Sequence, residues 1–500
     1  MTEIKKLASQ TAYYGISSIL GRVLNFLLLP LYTSQLAAVE YGTVTYLYSF
    51  IALFNIIYTY GLETGFFRFT TKQKDASAFH STGTAVLITS VLFSGLLIFG
   101  APTLSNALGK GVESQFIIYL ALILFIDAIV AIPFAKLRLE NRPVKFALIR
   151  LSVILLTIGL NLLFLIVFPD ISEGKYLNGL QEFVNTVYDP QIGIGYIFIA
   201  NLMSNALYLP LLWKEFAQLR LKINWAAFKP ILAYSFPVFL MGLAGMFNEQ
   251  GYALIMPNIE INQDSLSGTE ALGVYTGAFK LSVIMMLGIQ AFRYAGEPFF
   301  FSHTDNKEAP ALFARIMHYF VIFNLVVMVG VALNIDLIAD VFLGRPEYKG
   351  ALYVLPILLL AKLFYGIYVN LSVWFKIKDK TIFGTYFAAI GTVITIVGNL
   401  ILIPMIGFMG TAFTALTCYI VMCVLCYNKG RQFFKVPYDF KPLIGYLALA
   451  LVFIYVGQII QPTNQWLNYG VSLAISGMYV LLMYFFEGKK LKYKSSDNAG

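Results

Sequence analysis

The chain has 500 residues, of which 59% are hydrophobic and only 12% are charged, and its formal net charge is +9. A soluble domain has about 45–50% apolar and about 25% charged residues. The composition therefore excludes a soluble enzyme and a disordered chain, and three cysteines in 500 residues exclude a disulfide framework.

Long apolar runs follow one another along the whole chain. A transmembrane helix needs about 20 predominantly apolar residues. On that criterion we predict about fourteen spans: 11–33, 43–66, 80–101, 114–135, 146–168, 192–213, 230–257, 273–292, 315–335, 351–375, 381–404, 409–427, 443–460 and 466–486. The longest stretch outside them, 169–191, has room for only a short surface element, so no large soluble domain is expected.

The basic residues of the loops lie mostly on one side of the predicted membrane. With the N-terminus in the cytoplasm, 26 of the 35 lysines and arginines fall in cytoplasmic loops and tails, and only four fall in outer loops. Cytoplasmic loops carry an excess of lysine and arginine. We therefore predict that both termini are cytoplasmic. The positive charge reflects this topology, and no nucleic-acid partner is expected.

Landmarks in the first six spans recur in the next six. The matched features are Arg22 and Pro30 with Glu249 and Pro257, Gly42 with Gly273, and 157–162 with 395–400. Repeats of six spans share one orientation, which is the parallel-repeat arrangement of many transporters. We predict an N-terminal lobe (1–213), a C-terminal lobe (214–428), two additional spans (429–487) and a basic cytoplasmic tail (488–500).

Three sequence segments near the start resemble one family of membrane proteins. The segments 21–33 (GRVLNFLLLPLYT), 40–42 (EYG) and 60–69 (YGLETGFFRF) resemble bacterial polysaccharide flippases of the Wzx type. These belong to the multidrug/oligosaccharidyl-lipid/polysaccharide (MOP) superfamily. The resemblance implies an all-α polytopic membrane protein with two pseudo-symmetric six-helix lobes and two extra C-terminal helices.

The same resemblance implies a function. Such a protein translocates an undecaprenyl-diphosphate-linked oligosaccharide across the bacterial cytoplasmic membrane, for surface polysaccharide biosynthesis. Its central cavity opens alternately to each side. The implied partners are the lipid-linked oligosaccharide, membrane lipids and other polysaccharide assembly proteins.

Several ionisable residues lie inside predicted spans, where charge is costly and is usually functional. Arg22, Asp127, Glu249 and Lys362 lie near mid-span, and Lys280 lies about two turns from the outer end of its span. Cations can bind the oxygens of a diphosphate, and arginine can do so bidentately. We therefore predict that Arg22, Lys280 and Lys362 form a cationic substrate site. Related lipid-precursor flippases also carry an arginine in the first helix, which corresponds to Arg22.

The buried carboxylates have the wrong sign for phosphate. Asp127 and Glu249 are candidates either for coupling transport to H⁺ or Na⁺ or for pairing with the basic residues. Four further charges lie near cytoplasmic span ends and are inner-gate candidates: Glu63, Arg68, Arg293 and Glu297.

No catalytic motif, metal-ligand spacing or ATP-binding loop stands out, so no enzymatic activity and no cofactor beyond a coupling ion are expected. Three alternatives to the flippase remain open. A peptidoglycan-precursor flippase would use the same scaffold and nearly the same headgroup. A multidrug or cation antiporter should have an acidic, aromatic pocket without excess cations. A membrane polysaccharide polymerase usually needs a larger loop than this chain offers.

Overall fold

The computed structural model describes residues 20–73, 77–259, 266–302, 308–378, 380–460 and 462–497, and these residues form helices and no strand. A helical turn at 20–26 precedes the first labelled helix. The helices of the first repeat are α1 (Leu28–Gln35), α2 (Ala38–Thr59), α3 (Leu62–Gln73), α4 (Ser77–Phe99), α5 (Ala101–Leu108), α6 (Ser114–Leu139), α7 (Pro143–Leu162), α8 (Phe168–Ser172), α9 (Gln181–Val187), α10 (Gly195–Ala206), α11 (Tyr208–Leu211) and α12 (Trp213–Ala217).

The remainder of the chain is also helical. Its helices are α13 (Trp225–Ile255), α14 (Gly268–Leu281), α15 (Val283–Ser302), α16 (Ala309–Leu333), α17 (Ile335–Phe342), α18 (Leu355–Leu371), α19 (Val373–Ile377), α20 (Ile382–Ile406), α21 (Phe408–Phe433), α22 (Phe440–Ile459) and α23 (Gln465–Asp497). A 3₁₀ segment, Pro346–Val354, leads into α18.

Among the described residues, eleven helices are long and apolar enough to cross a membrane, and up to twelve if α14 and α15 count as one bent span. The predicted total of about fourteen is therefore not confirmed. The first predicted span lies partly outside the described residues. The sixth is divided into α10, α11 and α12, in a region where Pro210 cannot donate a helical hydrogen bond.

The eighth predicted span is bent by 48° between α14 and α15. Ser282 lies at the bend, and its hydroxyl donates a hydrogen bond to the Phe279 carbonyl over 2.6 Å. A serine hydroxyl that bonds back to its own helix favours bending. The bend lies only two residues after Lys280, so it helps to set the direction of that side chain.

Each repeat has its own set of packed helices. In the first repeat α6 contacts α4 and α10, and in the second repeat α21 contacts α18 and α20. The two sets meet mainly where α2 contacts α13 and α14, and where α3 contacts α13. The division of the chain into lobes at residue 213 stays a prediction.

Helices α2 and α14 cross closely at the Lys/Arg-poor ends of the repeats, which we call the outer ends. A Cβ atom on Gly42 would lie 1.8 Å from the Thr269 carbonyl oxygen, and one on Gly273 would lie 1.9 Å from the Ala38 carbonyl oxygen. Small residues permit such close helix packing in membranes. These glycines are the pair that the sequence repeat matches, and we call their contact the outer crossing.

A set of hydrogen bonds between 33–38 and 342–348 surrounds the outer crossing, and we call it the outer network. The buried Tyr348 hydroxyl donates to the Leu36 carbonyl over 3.0 Å. The Glu347 carboxylate accepts a 2.7 Å bond from the Ala38 N–H at the start of α2, where a negative charge is favourable. The remaining contacts run from Arg345 to the carbonyls of Ser34 and Gln35, and between Thr33 and both Phe342 and Gly344.

At the opposite, inner ends the two sets of helices meet through α3 and α13. Gly65 lies against Ser235, because a Cβ atom there would be 2.2 Å from the serine Oγ. The guanidinium of Arg68 lies 4.2 Å from the centroid of the Tyr234 ring. We call this set of side-chain contacts the inner contact.

Helices α22 and α23 are held to α16 by a small polar cluster. The Tyr446 hydroxyl donates to one oxygen of Glu487 over 2.6 Å, and His318 Nε2 lies 3.1 Å from the other oxygen. This cluster thereby links α16, α22 and α23.

Candidate functional site

Glu249 lies between two lysines of neighbouring helices. Glu249 is on α13, Lys280 is near the end of α14, and Lys362 is on α18. Both ammonium groups are within electrostatic range of the carboxylate. Within the described part of the chain, neither lysine forms an ion pair within 4.0 Å. We call this group the ionic triad; it brings together three of the residues that the sequence predicted as site residues.

Lys362 is the most buried member of the triad, with 4% of its surface exposed. Its Nζ lies 4.7 Å from the centroid of the Phe279 ring, which is a cation–π contact. A buried cation without a directly bonded carboxylate is unfavourable. This ammonium can therefore gain a large electrostatic stabilisation from an anion that enters the protein.

Two members of the triad line a narrow cavity of about 20 Å³, which is room for about one water molecule. Its lining includes Glu249, Lys362, Tyr252, Asn399 and Tyr419. The cavity lies between α13, α14, α18, α20 and α21, so it is enclosed by helices of the second repeat. Lys280, by contrast, has an exposed side chain.

Oxygen atoms in the cavity wall lack hydrogen-bond partners. Asn399 Oδ1 and Thr411 Oγ1 are buried and make no hydrogen bond among the described residues. The Asn399 amide nitrogen is already used, because it donates to the Thr395 carbonyl over 2.7 Å. These oxygens and the Glu249 carboxylate are donors of the kind that hard cations prefer.

Hydrogen bonds that the sequence did not predict hold Asn248, the residue before Glu249, against α20 and α21. Asn248 Nδ2 donates to the Ala388 carbonyl over 3.1 Å, and Thr392 Oγ1 donates to Asn248 Oδ1 over 3.1 Å. The Tyr419 hydroxyl donates to the Asn248 carbonyl over 3.3 Å. The sequence does show an asparagine next to a mid-span glutamate, but nothing in it indicates that Asn248 contacts α20 and α21.

Arg22 is exposed and lies in the first helical turn of the described chain. Tyr365, one turn after Lys362 on α18, is within electrostatic range of Glu249, Arg293 and Arg22. Arg22, Arg293 and Glu249 therefore share Tyr365 as a neighbour. Among the described residues, the electrostatic neighbours of Glu249 and Tyr365 include four basic residues: Arg22, Lys280, Arg293 and Lys362.

Asp127 lies in a separate polar cluster within the first repeat. The Asn205 amide donates to the Asp127 carboxylate over 2.9 Å, and Asn201 donates to the Tyr48 hydroxyl over 2.8 Å. Asp127 is also within electrostatic range of Arg150. This carboxylate therefore has amide and cationic neighbours of its own and is not part of the ionic triad.

Two of the inner-gate candidates, Glu63 and Arg68, contact different partners. Glu63 pairs with Arg138 of α6, whereas Arg68 stacks on Tyr234 of α13. Arg293 lies 5.5 Å from the ring centroid of its neighbour Tyr294. Arg68 joins the two repeats through its contact with Tyr234. The side chain of Glu297 lies outside the described residues.

Comparisons with known proteins identify the family. Residues 7–301 match the family model described as polysaccharide biosynthesis protein. No curated protein matches the chain.

Solved structures with a similar fold are transport proteins. A lipid II flippase, MurJ, in an inward closed conformation aligns with a TM-score of 0.70 and 14% identity, over 96% of this chain and 99% of that chain. An inward-facing multidrug resistance MATE family transporter of the MOP superfamily aligns with a TM-score of 0.60 and 16% identity, over 82% and 94% of the two chains. An outward-facing transporter of the same kind aligns with a TM-score of 0.58 and 14% identity, over 85% and 95%.

At these identities the structural matches establish the fold alone, and the family follows from the sequence match over more than half of the chain. The chain is a multi-pass helical membrane protein with the fold of the MOP superfamily, and it belongs to the polysaccharide biosynthesis protein family.

Proposed function

We propose that the protein is a flippase that translocates an undecaprenyl-diphosphate-linked oligosaccharide across the bacterial cytoplasmic membrane by alternating access. The observation that carries this proposal is the excess of cations among the electrostatic neighbours of Glu249 and Tyr365. The family match supports a role in polysaccharide biosynthesis, and the similarity to a lipid II flippase supports a lipid-linked substrate.

The central cations act at two depths in this proposal. Arg22 and Lys280 have exposed side chains and meet the diphosphate first. Lys362 is buried and receives the anion once it has moved deeper. In a medium of low dielectric constant, attraction between these charges offsets the hydration that the diphosphate loses. The glycan stays in the space between the repeats, and the lipid tail stays in the bilayer.

Glu249 couples this binding event to a cation. When the diphosphate binds Lys280 and Lys362, the carboxylate loses its neutralising partners. It then takes up H⁺ or Na⁺, with Asn399 and Thr411 as further oxygen donors for Na⁺. Asp127 is the second coupling candidate, since Asn205 and Arg150 surround it in the first repeat.

Alternating access requires that the outer crossing and the inner contact open in turn. The closed outer crossing of this structure corresponds to a cavity that is shut from the outside. In the predicted orientation both termini are cytoplasmic, and substrate enters from the cytoplasmic leaflet. The protein acts with membrane lipids and other polysaccharide assembly proteins, and it changes no covalent bond in its substrate.

The first test measures flipping of a fluorescent undecaprenyl-diphosphate oligosaccharide in proteoliposomes. We expect Lys362→Gln to lose more than about tenfold in rate, because it removes a buried cation that the diphosphate needs. Lys362→Arg should retain part of the rate, because the charge is kept. The matched control is Lys222→Gln, which removes an exposed loop lysine and should leave the rate unchanged.

A normal rate for Lys362→Gln at normal abundance would contradict the cationic site.

A second candidate, a peptidoglycan-precursor flippase, is favoured by the TM-score of 0.70 to a lipid II flippase. Parallel assays with lipid II and with the oligosaccharide carrier distinguish the two, because only the true substrate should be flipped faster than protein-free background. Sodium and proton gradients applied to the same vesicles test the coupling ion.

A further inference from the structure

A deep apolar groove of about 200 Å³ runs between α16, α18, α21 and α22. Its floor is buried, since Met317 and Leu363 are each 1% exposed. Its lips are open, since Val424 is 51% exposed and Ile444 is 65% exposed. The lining is aliphatic and aromatic with one cysteine, so the groove suits a hydrocarbon chain and no polar ligand.

The groove adjoins a smaller, largely aromatic pocket at the Lys/Arg-rich end of the helices, which also holds two strongly polar side chains. Leu371 and Tyr427 line both the groove and this smaller pocket. Asn370 and Arg431 also line the pocket, and the Arg431 guanidinium lies 5.7 Å from the Tyr427 ring centroid. An apolar slot therefore leads directly to a cation, which is the arrangement of a lipid chain and its anionic headgroup.

The charges around the pocket favour an anion. Arg431 is exposed and has no ion pair within 4.0 Å among the described residues. Lys378 lies 5.5 Å from the ring centroid of Phe434, and Lys429 lies 5.7 Å from that of Phe433. Basic residues near a membrane surface attract anionic lipids, and aromatic rings occupy the same interfacial depth.

We propose that the groove and its pocket bind one anionic phospholipid, with an acyl chain along α18 and α21 and the phosphodiester at Arg431. From Leu371 to Leu363 the groove follows about 12 Å of helix at 1.5 Å per residue, which accommodates the upper part of an acyl chain. In the predicted orientation this lipid comes from the inner leaflet.

The location separates this lipid from the transported substrate. Leu358, Ala361 and Lys362 face the cavity of the ionic triad, whereas Leu363 and Ile367 face the groove. Helix α18 thus stands between the two sites. A phospholipid in the groove contacts the helix that carries Lys362 without entering the path between the repeats.

The test uses Trp374 as a reporter, because it lines the pocket beside Arg431. Trp213, Trp225 and Trp466 are exposed and are replaced by Phe, which leaves one tryptophan in the full-length protein. Quenching is measured in nanodiscs that contain phosphatidylglycerol or phosphatidylcholine with dibrominated acyl chains. We expect about fivefold stronger apparent binding of phosphatidylglycerol.

Two variants separate the headgroup from the chain. Arg431→Gln should abolish most of the preference for phosphatidylglycerol, and its control is Lys214→Gln, an exposed lysine of the first repeat. Val424→Phe should fill the groove and reduce quenching by both lipids, and its control is Val393→Phe on the exposed face of α20. Ile444→Phe, on the opposite lip, serves if Val424→Phe lowers the abundance of the protein.

Three results would overturn the proposal. The first is equal quenching by the two lipids in the parent protein. The second is an undiminished preference in Arg431→Gln, and the third is undiminished quenching in both groove variants. Undecaprenyl phosphate is added as a competitor; if it displaces phosphatidylglycerol at a lower mole fraction, the groove holds the carrier lipid and the phospholipid assignment fails.

Discussion

The outer and inner ends of the central helices are joined in different ways. At the outer end the backbones of α2 and α14 touch at Gly42 and Gly273, and backbone groups take part in the surrounding hydrogen bonds. At the inner end the backbones approach less closely, because a Cβ atom on Gly61, just before α3, would lie 2.6 Å from the Ser235 carbonyl oxygen of α13, and the other contacts come from the side chains of Ser235, Arg68 and Tyr234.

This difference indicates which end is harder to open. Side chains can change rotamer while the helices stay in place, whereas touching backbones separate only if whole helices move, and the closer backbone contact is the outer one. In the proposed cycle we therefore expect the outer crossing to set the larger barrier to opening, and the inner contact to set the smaller one. The following substitutions test that order, from the largest expected effect to the smallest.

Gly273→Ala should have the largest effect. The added methyl group would lie 1.9 Å from the Ala38 carbonyl oxygen, so α2 and α14 must move apart. Overpacking costs about 1–3 kcal/mol, and a backbone clash belongs at the upper end. We expect flipping to fall by more than about tenfold and a cysteine at position 36 to become reactive toward an impermeant maleimide from outside.

The background of that labelling is low, because Cys418, Cys423 and Cys426 are buried. The matched control is Gly159→Ala, since nothing lies within 4 Å of the added methyl group. Unchanged protection of position 36 in Gly273→Ala would show that the crossing does not hold the outer end closed.

Tyr348→Phe should open the outer end to a smaller extent. It removes the bond to the Leu36 carbonyl and leaves that buried acceptor unpaired, which costs about 1–3 kcal/mol. We expect the same cysteine at position 36 to label faster than in the parent but more slowly than in Gly273→Ala. Tyr455→Phe, on an exposed face of α22, is the control. Faster labelling than in Gly273→Ala would reverse the proposed order.

Arg68→Ala tests the inner contact. A cation–π contact contributes about 0.5–2 kcal/mol, and the Arg68 side chain is exposed, so the low end of that range applies. We expect a cysteine at position 235 to label about two- to fivefold faster in inverted vesicles, with the outer end unaffected. Arg220→Ala in an exposed loop is the control. A tenfold or larger effect would place the main barrier at the inner end.

Asp340 provides a contact at the outer end that does not join the repeats. Hydrogen bonds from Lys349 and Tyr469 hold the pKa of Asp340 below its usual value. Its contribution to stability is therefore complete above about pH 4 and is lost as the pH falls through the lowered pKa. Asp340→Asn should slightly lower the Tm at pH 7, by an amount that shrinks as the pH falls through the lowered pKa, and it should leave flipping unchanged. A flipping defect would show that the contact of Asp340 also helps to keep the outer end closed.

The membrane character and the approximate helix positions could be predicted because apolar runs and basic loops are local signals. The Gly42–Gly273 pair was visible as a repeat landmark, but its contact was not predictable from one chain. The breaks at Tyr60–Gly61 and Ser282 were missed because hydropathy averages over a window and does not register a single residue with positive φ or a bonded hydroxyl.

The members of the ionic triad could be singled out from the sequence more readily than their arrangement, and their roles stay predictions. Glu249, Lys280 and Lys362 were recognisable because a charge within an apolar span is costly. Which charges share a cavity depends on contacts across hundreds of residues. Asn248 and Tyr419 were not predicted for the same reason. Asparagine and tyrosine are common in membrane helices, and only the three-dimensional structure places these two beside Glu249.

The position of the outer crossing has a mechanical consequence. Helices that traverse about 30 Å of hydrocarbon act as levers when they touch at one end. A rotation of about 20° at Gly42 and Gly273 displaces the far ends by about 10 Å, which is the width of a helix. In the proposed cycle, a bulky glycan thus enters at the inner side while the outer crossing stays intact. In the proposed cycle, release to the outside requires the outer crossing itself to separate. Most of the free-energy barrier of the cycle then lies in that single step.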